Sequence, residues 1–258
     1  MIISRIYSNL FSRGVLAKIN NFILTLSLRA RGYDNHLNSK DSGESFFIKK
    51  ILASTNPKLC IDIGANIGLY TSELLKNTNC NVICFEPLPI AFESLIQNTK
   101  KYSARISLEN KGIGKSLENL AIHYDPKAHP HASFSEDIKK IKYVSNKENL
   151  IVPVITLDSY CIEKNIKEID LIKIDVEGFE TEVFEGAIKT FENIRPKFIQ
   201  IEFNSHQIFR NKSLNFFAEK LQGYDVYQLI PNGWIKRDPT DPLVNIYLFS
   251  NFIFVRNS

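Results

Sequence analysis

What this chain has little of narrows it before any motif is read. It carries four cysteines in 258 residues, Cys60, Cys80, Cys84 and Cys161. None forms a Cys-x-x-Cys pair, and no Cys/His spacing matches a zinc site. Cys60 and Cys84 fall inside apolar runs that read as strands, so the thiols are expected to be small buried side chains in a reducing compartment. No apolar run approaches the ~18 residues of a membrane-spanning helix. Neither charge dominates: 32 Lys and Arg against 28 Asp and Glu leave a net +4, well short of a nucleic-acid-binding domain. Internal repeats and low-complexity tracts are missing too. The sharpest absence is local. Residues 1–33 contain no Asp or Glu, although they contain Arg5, Arg13, Lys18, Arg29 and Arg31.

What is present suits a globular enzyme. Hydrophobic residues make up 44% and charged residues 23%, enough for a core of ordinary size in one large domain or two small ones. In the leader, Ile3, Ile6 and Leu10, then Leu16, Ile19, Ile23 and Leu26, recur at helical spacing, with Gly14 as the break. It does not read as a secretory signal, because Arg13 interrupts the apolar stretch and no small-residue cleavage site follows. Two expectations stand for residues 1–31. They lie on a membrane surface, apolar side among acyl chains and cations at anionic headgroups, or they dock on the catalytic domain or on a second copy. The expected division is a helical extension over residues 1–35 and one domain over 36–258, placed in the cytoplasm or peripherally at the inner face of the membrane. Oligomeric state is not legible.

From residue 59 the pattern alternates. Strands are expected at 59–63, 82–85, 106–108, 171–174 and 198–203, with helices at 67–76, 90–101 and 180–191 and a short one at 44–52. Near-continuous apolar strands between helices indicate a parallel sheet covered on both faces. After residue 224 the helices stop. Strands at 224–230 and 251–255, with a further candidate at 243–249, suggest antiparallel edge strands, and Pro231-Asn232-Gly233 is a turn signal. The fold class expected is α/β, a Rossmann-like fold with a mostly parallel central sheet, antiparallel C-terminal edge strands and an N-terminal helical extension. Residues 115–150 are polar, with an extended segment at 120–124 followed by a loop.

Asp62-Ile63-Gly64-Ala65-Asn66-Ile67-Gly68 follows the first strand and opens a helix. The glycines permit a tight turn and close approach of a ligand. Glu86 ends the next strand, 22 residues beyond Gly64, where a carboxylate can accept hydrogen bonds from both hydroxyls of a ribose. A dinucleotide would bring pyrophosphate to the loop, and Asp62 would repel it. S-adenosyl-L-methionine brings a sulfonium and an ammonium, which tolerate that carboxylate. A turn that merely joins strand to helix is the plainer alternative.

These residues resemble a known family. Cys60 to Tyr70, then Phe85-Glu86-Pro87, then Ile172-Lys173-Ile174-Asp175-Val176-Glu177-Gly178-Phe179-Glu180, are similar to the FkbM methyltransferases. Ser42-Gly43-Glu44, Thr156-Leu157-Asp158 and Ile201-Glu202 also match that pattern. The resemblance covers residues 40–205. It implies O-methylation, often of sugars or secondary-metabolite hydroxyls. It also implies cofactor contacts from Asp62, Gly64, Ala65, Asn66, Gly68, Tyr70, Glu86 and Pro87, with Asn110 and Gly112 near the adenine. The chain departs from the family after the third strand, where a Gly/Ser-rich patch is replaced by His129-Pro130-His131-Ala132-Ser133.

An aliphatic hydroxyl needs a base, or a metal that acidifies it. Ligands of such sheets bind beyond the carboxyl ends of the strands, where Asp175, Glu177 and Glu202 should converge. Asp175, Glu177 and His131 are the candidate catalytic residues. The carboxylates could also hold a divalent cation, and Asp175 could instead cap the helix near Glu180. His129 and His206 are weaker candidates. Lys139, Lys140, Lys142 and Lys147 read as a solvated face, or as a site for an acidic glycan. A small-molecule or glycan acceptor is expected and a nucleic acid is not, since an Asn/Asp-Pro-Pro-aromatic motif is missing from the fourth strand. A nicotinamide oxidoreductase and a non-catalytic binding module complete the alternatives.

Overall fold

The computed structural model describes residues 2–126, 131–141 and 144–257. Helices α1 (Ile2–Phe11) and α2 (Ala17–Ala30) form a hairpin across a short turn at Gly14–Leu16. Helix α3 (Glu44–Phe46) continues into a wider-wound segment, Phe47–Leu52, whose Phe47, Ile48 and Leu52 are buried. Then β1 (Leu59–Ile63), α4 (Leu69–Asn77), β2 (Asn81–Phe85), α5 (Pro89–Thr99) and β3 (Ile106–Glu109) alternate as expected. The strands β4 (Gly112–Ile113), β5 (Glu118–Tyr124) and β6 (Glu148–Ile155) follow, then α6 (Leu157–Glu163), β7 (Leu171–Ile174), α7 (Glu180–Glu185) and β8 (Phe198–Phe203). The chain ends with α8 (His206–Phe209), α9 (Leu214–Lys220), β9 (Tyr224–Ile230), β10 (Gly233–Arg237) and β11 (Ser250–Arg256).

The main sheet runs β10-β9-β11-β8-β7-β1-β2-β3. From β3 to β8 all pairs are parallel, and β11, β9 and β10 pair antiparallel. This is the Rossmann-like α/β architecture read from the sequence. Side chains alternate across it. Ile61, Ile63, Ile172 and Ile174 enter one core, and Cys60, Val82, Cys84 and Leu171 enter the other. All four cysteines are free and buried.

Two strand readings are corrected. Residues 243–249 are not a strand; the strand after the Pro231-Asn232-Gly233 turn is β10. Segment 115–150 is more than an extension and a loop, because β5 pairs with β6, and β6 with β4, in a second three-stranded sheet. Only Val152 and Val154 of β6 are buried, too little apolar periodicity for the strand to declare itself.

The domain packs against the chain from Gly32 onward. Tyr33 is fully buried and donates to the Val244 carbonyl (3.0 Å), and Asp34 donates its amide to Phe249 (2.8 Å). Neither α1 nor α2 buries a residue.

Candidate active site

The loop after β1 is shaped by its glycines. Gly64 has φ +81, and a Cβ there would lie 1.8 Å from the carbonyl oxygen of Asp175, so only glycine lets the ends of β1 and β7 approach this closely. The amides of Gly64 and Ala65 both donate to the Phe85 carbonyl (2.9 and 3.0 Å), which ties the loop to the end of β2. Gly68 (φ +82) starts α4 where a Cβ would strike Leu95 of α5.

Glu86 follows β2 directly. Its carboxylate accepts from the amides of Asn66 and Leu88, each at 2.8 Å. Burial pushes the carboxyl up to about 7, although both amides favour its ionised form. A cleft opens beside it. Gly64, Asn66, Glu86, Pro87, Gly112, Asp175 and Glu177 line it, with an apolar wall of Ile113, Ile122, Phe134 and Val176. A buried carboxylate for ribose hydroxyls, a tight glycine turn and an apolar wall for a purine suit S-adenosyl-L-methionine.

Behind the loop runs a polar row. Asp62, Lys173 and Gln200 are register partners on β1, β7 and β8, so their side chains share one face of the sheet. The Lys173 ammonium lies 2.8 Å from Asp175 Oδ2 and 3.9 Å from Asp62 Oδ1. Burial pulls Lys173 down, but Asp175, Asp62 and Glu44 together outweigh it and hold it above the ordinary lysine range. Burial pushes both Asp62 and Glu44 up. Gln200 donates to Glu44 (2.9 Å) and accepts from the Tyr70 hydroxyl (2.6 Å). Thr71 donates to Asp62 Oδ2 (2.6 Å), while Asp62 Oδ1 is buried without a hydrogen-bond partner. Three carboxylates around one ammonium leave the region beneath the cleft electronegative. That charge suits the cationic end of S-adenosyl-L-methionine and opposes a pyrophosphate.

Beyond Asp175 the chain makes a tight turn. Glu177 has φ +52, uncommon for a residue with a side chain, and Gly178 has φ +94. Glu180 accepts from the Gly178 amide (3.1 Å), so Glu180 rather than Asp175 closes this turn ahead of α7. The turn aims Glu177 between two histidines. Nε2 of His206 lies 3.0 Å and Nδ1 of His131 3.5 Å from its carboxylate. Burial would raise Glu177, but the two imidazoles override it and hold the carboxyl down at about 2. The contact with Glu177 raises His131, against the effect of its own burial. Glu177 and His131 also line a second, larger cleft, with Asp34, His36, Glu202, Asn204, Ser205, Tyr247, Leu248 and Phe249. Burial, then Asp175 and Glu177, push Glu202 well above the carboxylate range.

Residues 62–226 match the methyltransferase FkbM domain. The chain belongs to the FkbM methyltransferase family. Among curated proteins it is similar to the hexuronic acid methyltransferase AglP of Haloferax volcanii, 24% identical over 140 residues that cover 54% of each chain. The 2-O-methyltransferase NoeI of Sinorhizobium fredii is 24% identical over 204 residues, 72% of this chain and 79% of that one. The match thus spans only about half the length of AglP. A solved methyltransferase from Geobacter sulfurreducens covers 99% of this chain and 96% of its own, at a TM-score of 0.45 and 10% identity.

The FkbM motifs divide between lining and support. Asp62, Ala65, Gly68, Tyr70 and Asn110 do not line the cleft. Tyr70, expected at the cofactor, instead spends its hydroxyl on Gln200. Asn110 donates to the carbonyls of Glu86 (2.8 Å) and Pro87 (3.1 Å), holding the loop after β2. Asp158 accepts from the amides of Lys189 and Thr190 (3.0 and 2.7 Å), which ties α6 to the chain ahead of β8. Asp175, Glu177 and Glu202 are not gathered as a cation cage. Asp175 is engaged by Lys173, Glu177 by the histidines and Glu202 by Asn204. No group of three or more His, Cys, Asp or Glu among the described residues could hold a metal ion. His129 and Lys142 lie outside the described residues. The sequence reading singles out neither Phe134 of the first cleft nor Asp34, His36 and Tyr247 of the second. Ser133 and Lys173 receive no role there either, although each sits inside a quoted stretch.

Proposed function

We propose that this FkbM methyltransferase moves a methyl group from S-adenosyl-L-methionine to a hydroxyl of a sugar, in a glycan or its precursor. The carrying observation is that the cofactor cleft and the larger cleft share one residue, Glu177, with His131 beside it. When bound, the cofactor supplies an electrophilic methyl with a neutral thioether as leaving group. His131, steadied through Nδ1 by Glu177, takes the proton from the attacking hydroxyl. The ionised Glu177 stabilises the imidazolium that results, and His206 keeps Glu177 in place. Alignment of hydroxyl and methyl across this junction does the rest of the work.

The larger cleft supports a sugar as acceptor. Tyr247 and Phe249 offer aromatic surface for the C–H faces of a ring, and Asp34, His36 and Asn204 offer partners for hydroxyls. Among the described residues no Lys or Arg lines it. Asp34, Glu177 and Glu202 outnumber the two imidazoles there, His36 and His131, which favours an acceptor ring that is neutral or carries an amine. Lys140, once a candidate for an acidic glycan, pairs with Asp137 (2.6 Å). Four free buried thiols support a reducing, cytoplasmic setting, and peripheral attachment at the inner membrane face belongs to the same proposal.

Methyl-labelled cofactor, incubated with the protein and glycans extracted from its source, tests this. After acid hydrolysis the label should sit in an O-methylated neutral or amino sugar. Label in a uronic acid would overturn the charge assignment. Label in a non-sugar metabolite, or in nucleic acid, would overturn the sugar.

A further inference from the structure

The α1–α2 hairpin is the part of the molecule that the active site does not use. Its two helices are joined by their own polar groups. Tyr7 donates to Asn20 Oδ1 (2.8 Å), and Asn20 donates to the Phe11 carbonyl (2.9 Å). Apolar side chains are turned outward. Ile3 is 83% exposed, Val15 84% and Phe22 63%, and Ile6, Leu10, Ile19, Ile23 and Leu26 are also exposed. On α2, Ile19, Phe22, Ile23 and Leu26 follow the i, i+3, i+4, i+7 spacing of one helical face. Exposed apolar side chains gathered in this number on one hairpin mark an interaction site.

Charge selects the occupant. Residues 1–31 hold five of the chain's 32 basic residues and none of its 28 acidic ones. The remaining chain is therefore close to neutral, with 27 basic and 28 acidic residues. Arg29 pairs with Asp34 (3.5 Å) and Arg31 donates to the Leu243 carbonyl (3.0 Å), so both secure the hairpin's base. Arg5, Arg13 and Lys18 make no ion pair among the described residues. A two-fold contact of hairpin on hairpin would bring like charges together with no carboxylate between them. An anionic lipid surface meets both needs, burying the apolar faces and neutralising the cations. No helix among the described residues is long and apolar enough to cross a membrane, which leaves an in-plane seat.

We propose that the α1–α2 hairpin seats this enzyme on an anionic lipid surface, with Phe22 and its apolar neighbours among the acyl chains and Arg5, Arg13 and Lys18 at the headgroups. This deepens the peripheral location proposed above and does not depend on the acceptor's identity.

Flotation of the full chain with vesicles tests it, using phosphatidylcholine alone or with roughly one-third phosphatidylglycerol. Binding of S-adenosylhomocysteine is measured on the same samples, so that failure to float is distinct from failure of the methyltransferase reading. The wild-type chain should float with anionic vesicles at low salt and not with neutral ones. The Arg5→Glu, Arg13→Glu, Lys18→Glu triple variant should lose at least about tenfold in partitioning, as should Ile19→Ser, Phe22→Ser, Ile23→Ser. Both variants should bind S-adenosylhomocysteine as the wild type does, since the hairpin buries nothing. A wild-type chain that stays unbound, equal binding to both vesicle types, or a dimer that only these variants disrupt would each overturn the proposal.

Discussion

The two sides of the active site are built by different means. The cofactor side grows from the sheet itself. Asp62, Lys173 and Gln200 are neighbours by strand register, Gly64 is pinned under Asp175, and Glu86 is held by two backbone amides. The proposed acceptor side is assembled from connections. Asp34 and His36 come from ahead of β1, His131 from between β5 and β6, Asn204 from after β8, and Tyr247 and Phe249 from ahead of β11. A site that always receives the same cofactor can be fused to the core. A site that must suit one particular acceptor is placed where the chain can change without endangering the fold.

If that contrast is right, damage to the cofactor side should cost folding and damage to the acceptor side should cost only turnover. Lys173→Met tests the first half most severely. It leaves Asp62, Asp175 and Glu44 without their shared cation, and a loss of about 3–5 kcal/mol is expected in chemical denaturation. Wild-type stability in that variant would mean the row is not an electrostatic unit. Next comes Glu177→Gln, at the junction. Turnover should fall by about 100-fold or more as both histidines lose their counter-charge, and the denaturation midpoint should fall too, by less than in Lys173→Met.

Glu86→Ala should weaken S-adenosylhomocysteine binding by about 1–3 kcal/mol in calorimetry, the range for hydrogen bonds to a charged group. Unchanged affinity would detach Glu86 from the ribose. The pH dependence has two opposed signs. The folded state keeps a proton on Glu86 up to about 7, whereas the unfolded chain releases it near 4.5. Stability from this group is therefore full below about 4.5 and is lost as pH rises through 7, and Glu180, also pushed up to about 7 by burial, adds in the same direction. Ribose hydroxyls need the ionised carboxylate, so affinity for S-adenosylhomocysteine should strengthen over the same window. Melting temperature and calorimetry between pH 5 and 8 would show whether the two trends cross. The smallest effect belongs to Tyr247→Ala. A severalfold rise in acceptor KM is expected, with kcat nearly unchanged, from the loss of one aromatic wall.

The same contrast explains what could be read from the sequence. Strands β1, β7 and β8 announce themselves because burial on both faces makes them continuous apolar runs, and the glycine loop with Glu86 is local and fixed in spacing. Tyr70 enters the cofactor set through the family motif that ends at it. In the first turn of α4 the helix carries its side chain to Gln200 instead, a direction that only the folded helix defines. Residues 243–249 have the apolar content of a strand. Their Val244 serves the core and their Tyr247 and Phe249 serve the cleft, so composition misreported the structure. The acceptor cleft was invisible because Asp34 and Tyr247, more than 200 positions apart, share no local pattern.

The central claim is that two separable sides meet at Glu177 and that His131 works at their junction. His131→Ala tests it most directly, with S-adenosylhomocysteine affinity and methyl transfer measured on one preparation. Affinity should stay within about threefold of wild type while transfer at saturating cofactor falls at least about 100-fold, and the wild-type rise in rate with pH through the histidine range should vanish. Transfer near the wild-type rate, or affinity and transfer lost together, would contradict it.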